Sequence, residues 1–193
     1  MEQYTRITLE YAAERKHSRI GIQETEALLQ MLPKGASILD VGCGTGQPIS
    51  EYIARHPHQF NLSAVDSSET MTNIFRLNLP DVSVQCASIL TFDFFGQTFD
   101  AVVSWGMMFH LTEEEQRSAI ERIVAALPKG GYFLFTSGKE AGMRRGTMYN
   151  VEFAYYSLGS EKYGEVLRQH GCLLLQEFFG KGENYYYLAQ KTK

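Results

Sequence analysis

Two carboxylates and three glycines carry the first chemical signal in this chain. Asp40 ends the apolar run Ser37-Ile38-Leu39, and Gly42, Gly44 and Gly46 follow at alternate positions. Glycine belongs where a backbone turns sharply or lies against a ligand. Pro48 then suits the first turn of a helix, whose free N–H groups and positive dipole end point back at the loop. The spacing departs from the dinucleotide fingerprint, in which the third glycine stands three residues after the second. An acid just ahead of the loop would also repel a diphosphate, and it suits a cationic group such as an amine. Asp66 follows the next apolar run, Leu62-Ser63-Ala64-Val65, about where a carboxylate that holds ribose hydroxyls is expected. Together these residues ask for an amino-acid-like cation at one end of a pocket and a ribose beyond it.

The elements that must position them read as alternating strands and helices. Tyr4, Ile7 and Tyr11 mark a helix over 2–17, and Leu28, Leu29 and Leu32 face inward from a second over 22–32. The strand carrying Asp40 comes next, then the glycine loop and a helix with Ile49, Tyr52 and Ile53 on one face. The second strand ends at Asp66, Ser67 or Ser68 caps a helix bearing Met71, Ile74 and Phe75, and strands follow at 82–86 and 98–104. Thr112 and Glu115 form a capping box ahead of Ile120, Ile123, Val124 and Leu127. A fifth strand covers 132–135, a helix runs from 160 to 170, and strands at 172–179 and 185–190 flank the turn 180–184. The short turn makes that last pair antiparallel. The pattern is a doubly wound α/β fold with a mostly parallel sheet finished by an antiparallel hairpin.

A chain of 193 residues with 44% hydrophobic content is most simply one domain with a substantial core. A net charge of −4 and the absence of any basic stripe beyond Arg15-Lys16-His17-Ser18-Arg19 argue against a nucleic-acid partner. Cys43, Cys86 and Cys172 lack metal-ligand spacing and suit a reducing compartment. With no membrane-length apolar run and no leader pattern, the expectation is a soluble cytoplasmic protein without a metal or a membrane partner.

Leu39-Asp40-Val41-Gly42-Cys43-Gly44-Thr45-Gly46 resembles motif I of class I S-adenosylmethionine-dependent methyltransferases, and Val65-Asp66-Ser67-Ser68-Glu69-Thr70-Met71 resembles their ribose-binding motif. Phe99-Asp100-Ala101-Val102-Val103-Ser104 is similar to the fourth strand of that family, and Leu127-Pro128-Lys129-Gly130-Gly131-Tyr132-Phe133-Leu134 to the turn into its fifth. The resemblance implies a seven-stranded Rossmann-like sheet with the last strand inserted antiparallel. It also implies S-adenosylmethionine as cofactor, with S-adenosylhomocysteine as product. The contact set it suggests is Asp40, Gly42, Cys43, Gly44, Gly46, Asp66, Ser67, Met71, Ser88, Ile89, Ser104 and Trp105. Within that set Gly42 and Gly44 lie against the methionine part, Asp66 takes the ribose hydroxyls, Met71 flanks the adenine, and Ser88 and Ile89 meet its edge. Many members carry an acid where Ser88 stands. A hydroxyl accepts there without charge, so its hydrogen bond is weaker.

Sequence speaks less clearly about the methyl acceptor, because a sulfonium methyl group is already activated and a dedicated base is optional. His110, after the fourth strand, is the candidate base, with an ordinary imidazole pKa in view. The alternative is a histidine that only holds its loop. Trp105 could lie against the cofactor or pack on a helix. Residues 1–34 read as a helical cover, 35–140 as the cofactor-binding core, 141–159 as a substrate-cover segment and 160–193 as the last helix and hairpin. Tyr11, Arg144, Tyr149 and Tyr155 are the acceptor-side candidates; aromatic residues with Arg144 and Arg145 suit a small, partly apolar molecule, an anionic one included, and a second small core is the other reading of 141–159. The expectation is a small-molecule methyltransferase, monomeric or homodimeric. A binding module without catalysis, acting as sensor or partner subunit, is the alternative. The glycine spacing argues against a nicotinamide-dependent reductase.

Overall fold

The computed structural model describes residues 2–180 and 184–193. The turn expected at 180–184 therefore lies largely outside the described residues. The chain opens with helices α1 (Glu2–Arg15) and α2 (Ile22–Leu29). Strands β1 (Ser37–Val41), β2 (Asn61–Asp66) and β3 (Ser83–Cys86) then alternate with α3 (Ile49–Ala54) and α4 (Glu69–Asn78). After β4 (Ala101–Ser104) come α5 (Glu113–Ala125) and β5 (Tyr132–Ser137). The strands β6 (Gly142–Met148) and β7 (Val151–Ser157) precede α6 (Ser160–Gln169), β8 (Cys172–Phe179) and β9 (Tyr185–Lys191).

Seven strands form one sheet in the order β3-β2-β1-β4-β5-β9-β8. The first five are parallel, and β9 runs antiparallel between β5 and β8. This is the Rossmann-like arrangement that the resemblance implies. The strand order reverses between β1 and β4, and in an open α/β sheet ligands bind outside the carboxyl ends of the strands at such a reversal. Those ends bring Gly42, Asp66, Ser88, Trp105 and Ser137 to one rim of the sheet.

Local chemistry holds the elements that set this rim. Ser68 caps α4, its hydroxyl accepting from the Met71 N–H at 3.4 Å. The Thr112–Glu115 capping box opens α5, a device that satisfies two otherwise orphaned N–H groups. Leu39, Val102 and Phe133 on one side of the sheet and Ile38, Ala101 and Leu134 on the other are all buried, each set joining a separate apolar cluster. Both faces are therefore covered, as a parallel sheet requires.

One element was not anticipated. Residues 141–159 fold into a separate two-stranded antiparallel sheet, Gly142 opposite Ser157 and Met148 opposite Val151. Tyr149 and Asn150 turn the corner with φ of 49° and 63°, the left-handed pair that a tight hairpin turn needs. Val151 and Phe153 on β7 bury against Ile7 of α1, with Tyr4, Met148 and Tyr155 around them. The hairpin thus carries a small apolar core shared with α1.

Candidate active site

The rim opens into two adjoining cavities. The first, about 460 Å³, is lined by Gly42, Gly44, Asp66, Ser67, Met71, Ser88, Ile89 and Trp105 among others. The second, about 710 Å³, lies between α1, the loops after β4 and β5, and the β6–β7 hairpin. Both volumes fall in the range typical of small-molecule sites. Tyr4, Tyr11, Trp105, Gly106, His110 and Tyr156 line both cavities and so form the waist between them.

The three glycines have three different surroundings. Gly42, at φ 77°, backs onto Met107, whose Cβ would lie 2.4 Å from an added side-chain carbon. Gly46, at φ 85°, faces Phe75 and Leu79 of the α4 region at 3.0 Å. Gly44, at φ 54°, meets only the Tyr11 ring at 3.7 Å and otherwise leaves its space open. Its backbone is the stretch of loop against which a ligand can lie.

Asp66 is tied into that loop. Its Oδ2 accepts from the Gly44 N–H at 2.9 Å, and its Oδ1 accepts from the Ser68 N–H at 2.8 Å. Each carboxylate oxygen keeps a further lone pair for a hydroxyl donor. Burial raises its pKa, opposed by the N–H groups of Ser68, Gly44 and Ser67. Asp40 is buried deeper and lines neither cavity. Its Oδ2 accepts from the Ser50 hydroxyl at 2.5 Å. Burial pushes it up to about 7, the Ser50 hydroxyl opposing and the Asp66 charge adding to the rise. Neither acid makes an ion pair among the described residues. Two buried carboxylates, one of them feeling the charge of the other, are short of positive charge, a deficit that a cationic ligand in the first cavity would relieve.

Several residues grouped with the cofactor contacts from sequence lie elsewhere. Cys43 packs with Ala64, Phe75 and Leu79, so it and Gly46 turn toward α4 and away from the cavities. Ser104 is fully buried in β4 and lines neither cavity, because side chains alternate along a strand and its neighbour Trp105 takes the outward position. Trp105, expected to lie against the cofactor or to pack on a helix, packs instead on strand β9. It walls both cavities, and its ring centre lies 4.9 Å from that of Tyr186.

On the acceptor side, Tyr11 and Tyr155 line the second cavity together with Arg144. Tyr149 lines neither, its hydroxyl donating to the Glu14 carboxylate across to α1. His110 stands at the waist, with the Tyr4 hydroxyl 2.8 Å from its Nε2. The rings of Tyr4, Phe109, Phe153 and Tyr155 surround it at 4.8–5.6 Å. Burial lowers its pKa to about 4, so the ordinary imidazole value expected from sequence does not hold here. The imidazole is neutral at physiological pH and a weak base.

In sequence, Tyr4 has only a place on the covering helix and Gln116 is not singled out. Gln116, fully buried on α5, donates from Nε2 to Leu111 O at 2.8 Å and to Tyr156 O at 3.0 Å, and its Oε1 accepts from the Tyr163 hydroxyl. One side chain thereby ties the His110 loop, the hairpin and α6 together. A polar residue on the apolar stripe of α5 was the available signal.

Comparison with known proteins agrees with this geometry. Residues 38–131 match a family model described as a methyltransferase domain. A tRNA (carboxymethyluridine(34)-5-O)-methyltransferase of Arabidopsis thaliana is 35% identical over 112 residues, covering 57% of this chain and 26% of the relative. A ubiquinone biosynthesis O-methyltransferase of Coxiella burnetii is 25% identical over 146 residues, covering 72% of this chain and 60% of the relative. The chain thus spans less than two thirds of the length of either. Among solved structures, the 1,6-didemethyltoxoflavin-N1-methyltransferase of Burkholderia thailandensis, with bound 1,6-didemethyltoxoflavin and S-adenosylhomocysteine, superposes with a TM-score of 0.76 at 17% identity. The match covers 100% of this chain and 87% of that one.

Proposed function

We propose, from the match of residues 38–131 to the methyltransferase-domain model, that this protein transfers a methyl group from S-adenosylmethionine to a small-molecule acceptor. The observation that carries the reading is the pair of cavities meeting at one waist, the first with two buried, cation-free carboxylates beside it. A sulfonium cofactor bound in the first cavity supplies a methyl group made electrophilic by the positive sulfur. Gly44 gives the close backbone approach, and Gly42 the turn that packs on Met107. Asp66 holds a ribose diol with the lone pairs its N–H partners leave free. Met71 and Ile89 supply apolar surface and Ser88 an uncharged hydrogen-bonding group. Asp40, behind the loop, contributes negative potential rather than contact.

The chain's remaining work is alignment and exclusion of water. Tyr4, Tyr11, Trp105 and His110 wall the waist, and Tyr155 and Arg144 extend the wall into the acceptor cavity. His110 orients the acceptor and does not drive its deprotonation. Its Nε2 already pairs with Tyr4, and a base of such low pKa takes a proton poorly near neutrality.

A small molecule suits a second cavity of about 710 Å³ and a chain of net charge −4 better than a nucleic acid does. The free thiols of Cys43, Cys86 and Cys172 suit the cytoplasm, and no described helix is long and apolar enough to cross a membrane. The protein acts as a monomer or homodimer.

Calorimetric titration with S-adenosylmethionine and S-adenosylhomocysteine tests the reading. Binding of both is expected, and absence of binding to folded protein refutes it. Methyl release to acceptors in a broad small-molecule screen separates an enzyme from a sensor that only binds the cofactor.

A further inference from the structure

The second cavity has a chemical polarity of its own. Arg15 from α1, Lys139 from the loop after β5 and Arg144 from β6 border it, and none of the three borders the first cavity. Among the described residues the ion pairs are Arg55–Glu51, His56–Glu26 and Arg145–Glu152, so these three cations stand without an acidic partner. The lining includes one acid, Glu140. Three cations against one acid give a local charge of +2 in a chain whose net charge is −4. The walls nearer the waist are aromatic, formed by Tyr11, Trp105, Phe109 and Tyr155. Arg15 lies over the Tyr11 ring at 5.1 Å and Lys139 over the Tyr185 ring at 5.9 Å. Both cationic groups are thereby held at the cavity margin, where ring faces attract positive charge.

We propose that the methyl acceptor is a small planar aromatic acid, its ring held between the aromatic walls and its anionic group against Arg15, Lys139 and Arg144, with the atom to be methylated at the waist. The orientation follows from the placement of charge. The cations lie only in the outer cavity, so the anionic end points away from the first cavity, and the ring bridges the distance. Cations that border a cavity without an acidic partner gain charge-assisted bonds from a carboxylate that they do not have in its absence, and like-signed neighbours also steer the anion inward.

The inference rests on the methyltransferase reading only for the occupant of the first cavity. The test is therefore run with and without S-adenosylhomocysteine. The protein is titrated calorimetrically with 4-hydroxybenzoate, 3,4-dihydroxybenzoate and 2-aminobenzoate, each compared with its primary amide. Fluorescence of Trp105, the chain's single tryptophan, reports whether binding occurs at the waist. At least one acid should bind about tenfold or more tighter than its amide and change that fluorescence, the scale of one charge-assisted hydrogen bond. A triple variant, Arg15→Gln with Lys139→Gln and Arg144→Gln, should lose about tenfold or more of that affinity while still binding S-adenosylhomocysteine. Failure of every acid to bind, equal binding of acid and amide, or undiminished binding by the triple variant overturns the proposal. Failure of wild-type protein to bind S-adenosylhomocysteine overturns the cofactor reading instead, and the comparison of acid with amide in the absence of cofactor still decides this one.

Discussion

The three loop glycines separate folding from binding, and alanine at each gives the sharpest test of the site. Gly44, Gly46 and Gly42 all have φ between 54° and 85°, so each alanine pays a backbone cost of roughly 1–2 kcal/mol for the left-handed region. At Gly44 nothing else is added, because the new methyl group meets only the Tyr11 ring at 3.7 Å. Gly44→Ala should therefore lower the melting temperature by only about 3–6 °C for a chain of this size. The same methyl group adds bulk to the lining of the first cavity, where the proposed cofactor would lie, and should weaken S-adenosylhomocysteine binding by about tenfold or more, roughly 1.4 kcal/mol. At Gly46 the methyl group approaches Phe75 and Leu79 at 3.0 Å. Overpacking then adds roughly 1–3 kcal/mol to the backbone cost, and the fraction that stays folded should bind cofactor nearly as wild type does. Gly42→Ala should suffer most in stability, since it must displace the Cβ of Met107 from 2.4 Å. Thermal melts paired with calorimetric titration of each folded variant read both effects. The reasoning fails if Gly44→Ala binds S-adenosylhomocysteine as wild type does while Gly46→Ala, folded, does not.

Other perturbations probe the supports around the cavities. Gln116→Leu keeps the volume but removes the bonds to Leu111 O, Tyr156 O and the Tyr163 hydroxyl, and should cost about 3 kcal/mol in urea unfolding at roughly 1 kcal/mol per bond; a loss below about 1 kcal/mol would contradict its tying role. His110→Asn should lower kcat by less than about tenfold, whereas loss of a general base costs roughly 10²–10⁴, so single-turnover rates distinguish the two. Asp40 has its folded pKa raised from 3.8 to about 7, so the native state holds a proton that the unfolded state releases. Its contribution to stability is full below pH 3.8 and is lost as pH rises through about 7. Asp40→Asn should accordingly show a flatter stability profile across that window than wild type, and parallel profiles from urea titrations at stepped pH would refute the assignment.

The rim that carries the first cavity was legible in sequence because its signals are local. The run into Asp40, the glycine spacing and Asp66 at the end of the next strand all lie within one β-loop-α-β unit. There, chain connectivity alone brings the residues to the same rim. The capping box at Thr112 and the turn glycine at Gly171, with φ 83°, were readable for the same reason. The β6–β7 hairpin escaped notice although Val151, Phe153 and Tyr155 alternate, because the polar and glycine-bearing run through β6 carries no matching apolar pattern. Its partner in burial, Ile7, lies far away in sequence.

Sequence by itself therefore determined the parallel part of the sheet and the glycine loop, since each depends on neighbours a few residues apart. Only the tertiary structure decided which of Gly42, Gly44 and Gly46 meets open space, and that Cys43 and Ser104 turn inward. It also decided that burial strips His110 of its basicity, and that Arg15, Lys139 and Arg144 from three separate elements surround one cavity. Those properties arise from contacts across long stretches of chain, where burial and charge are set by whatever the fold brings alongside.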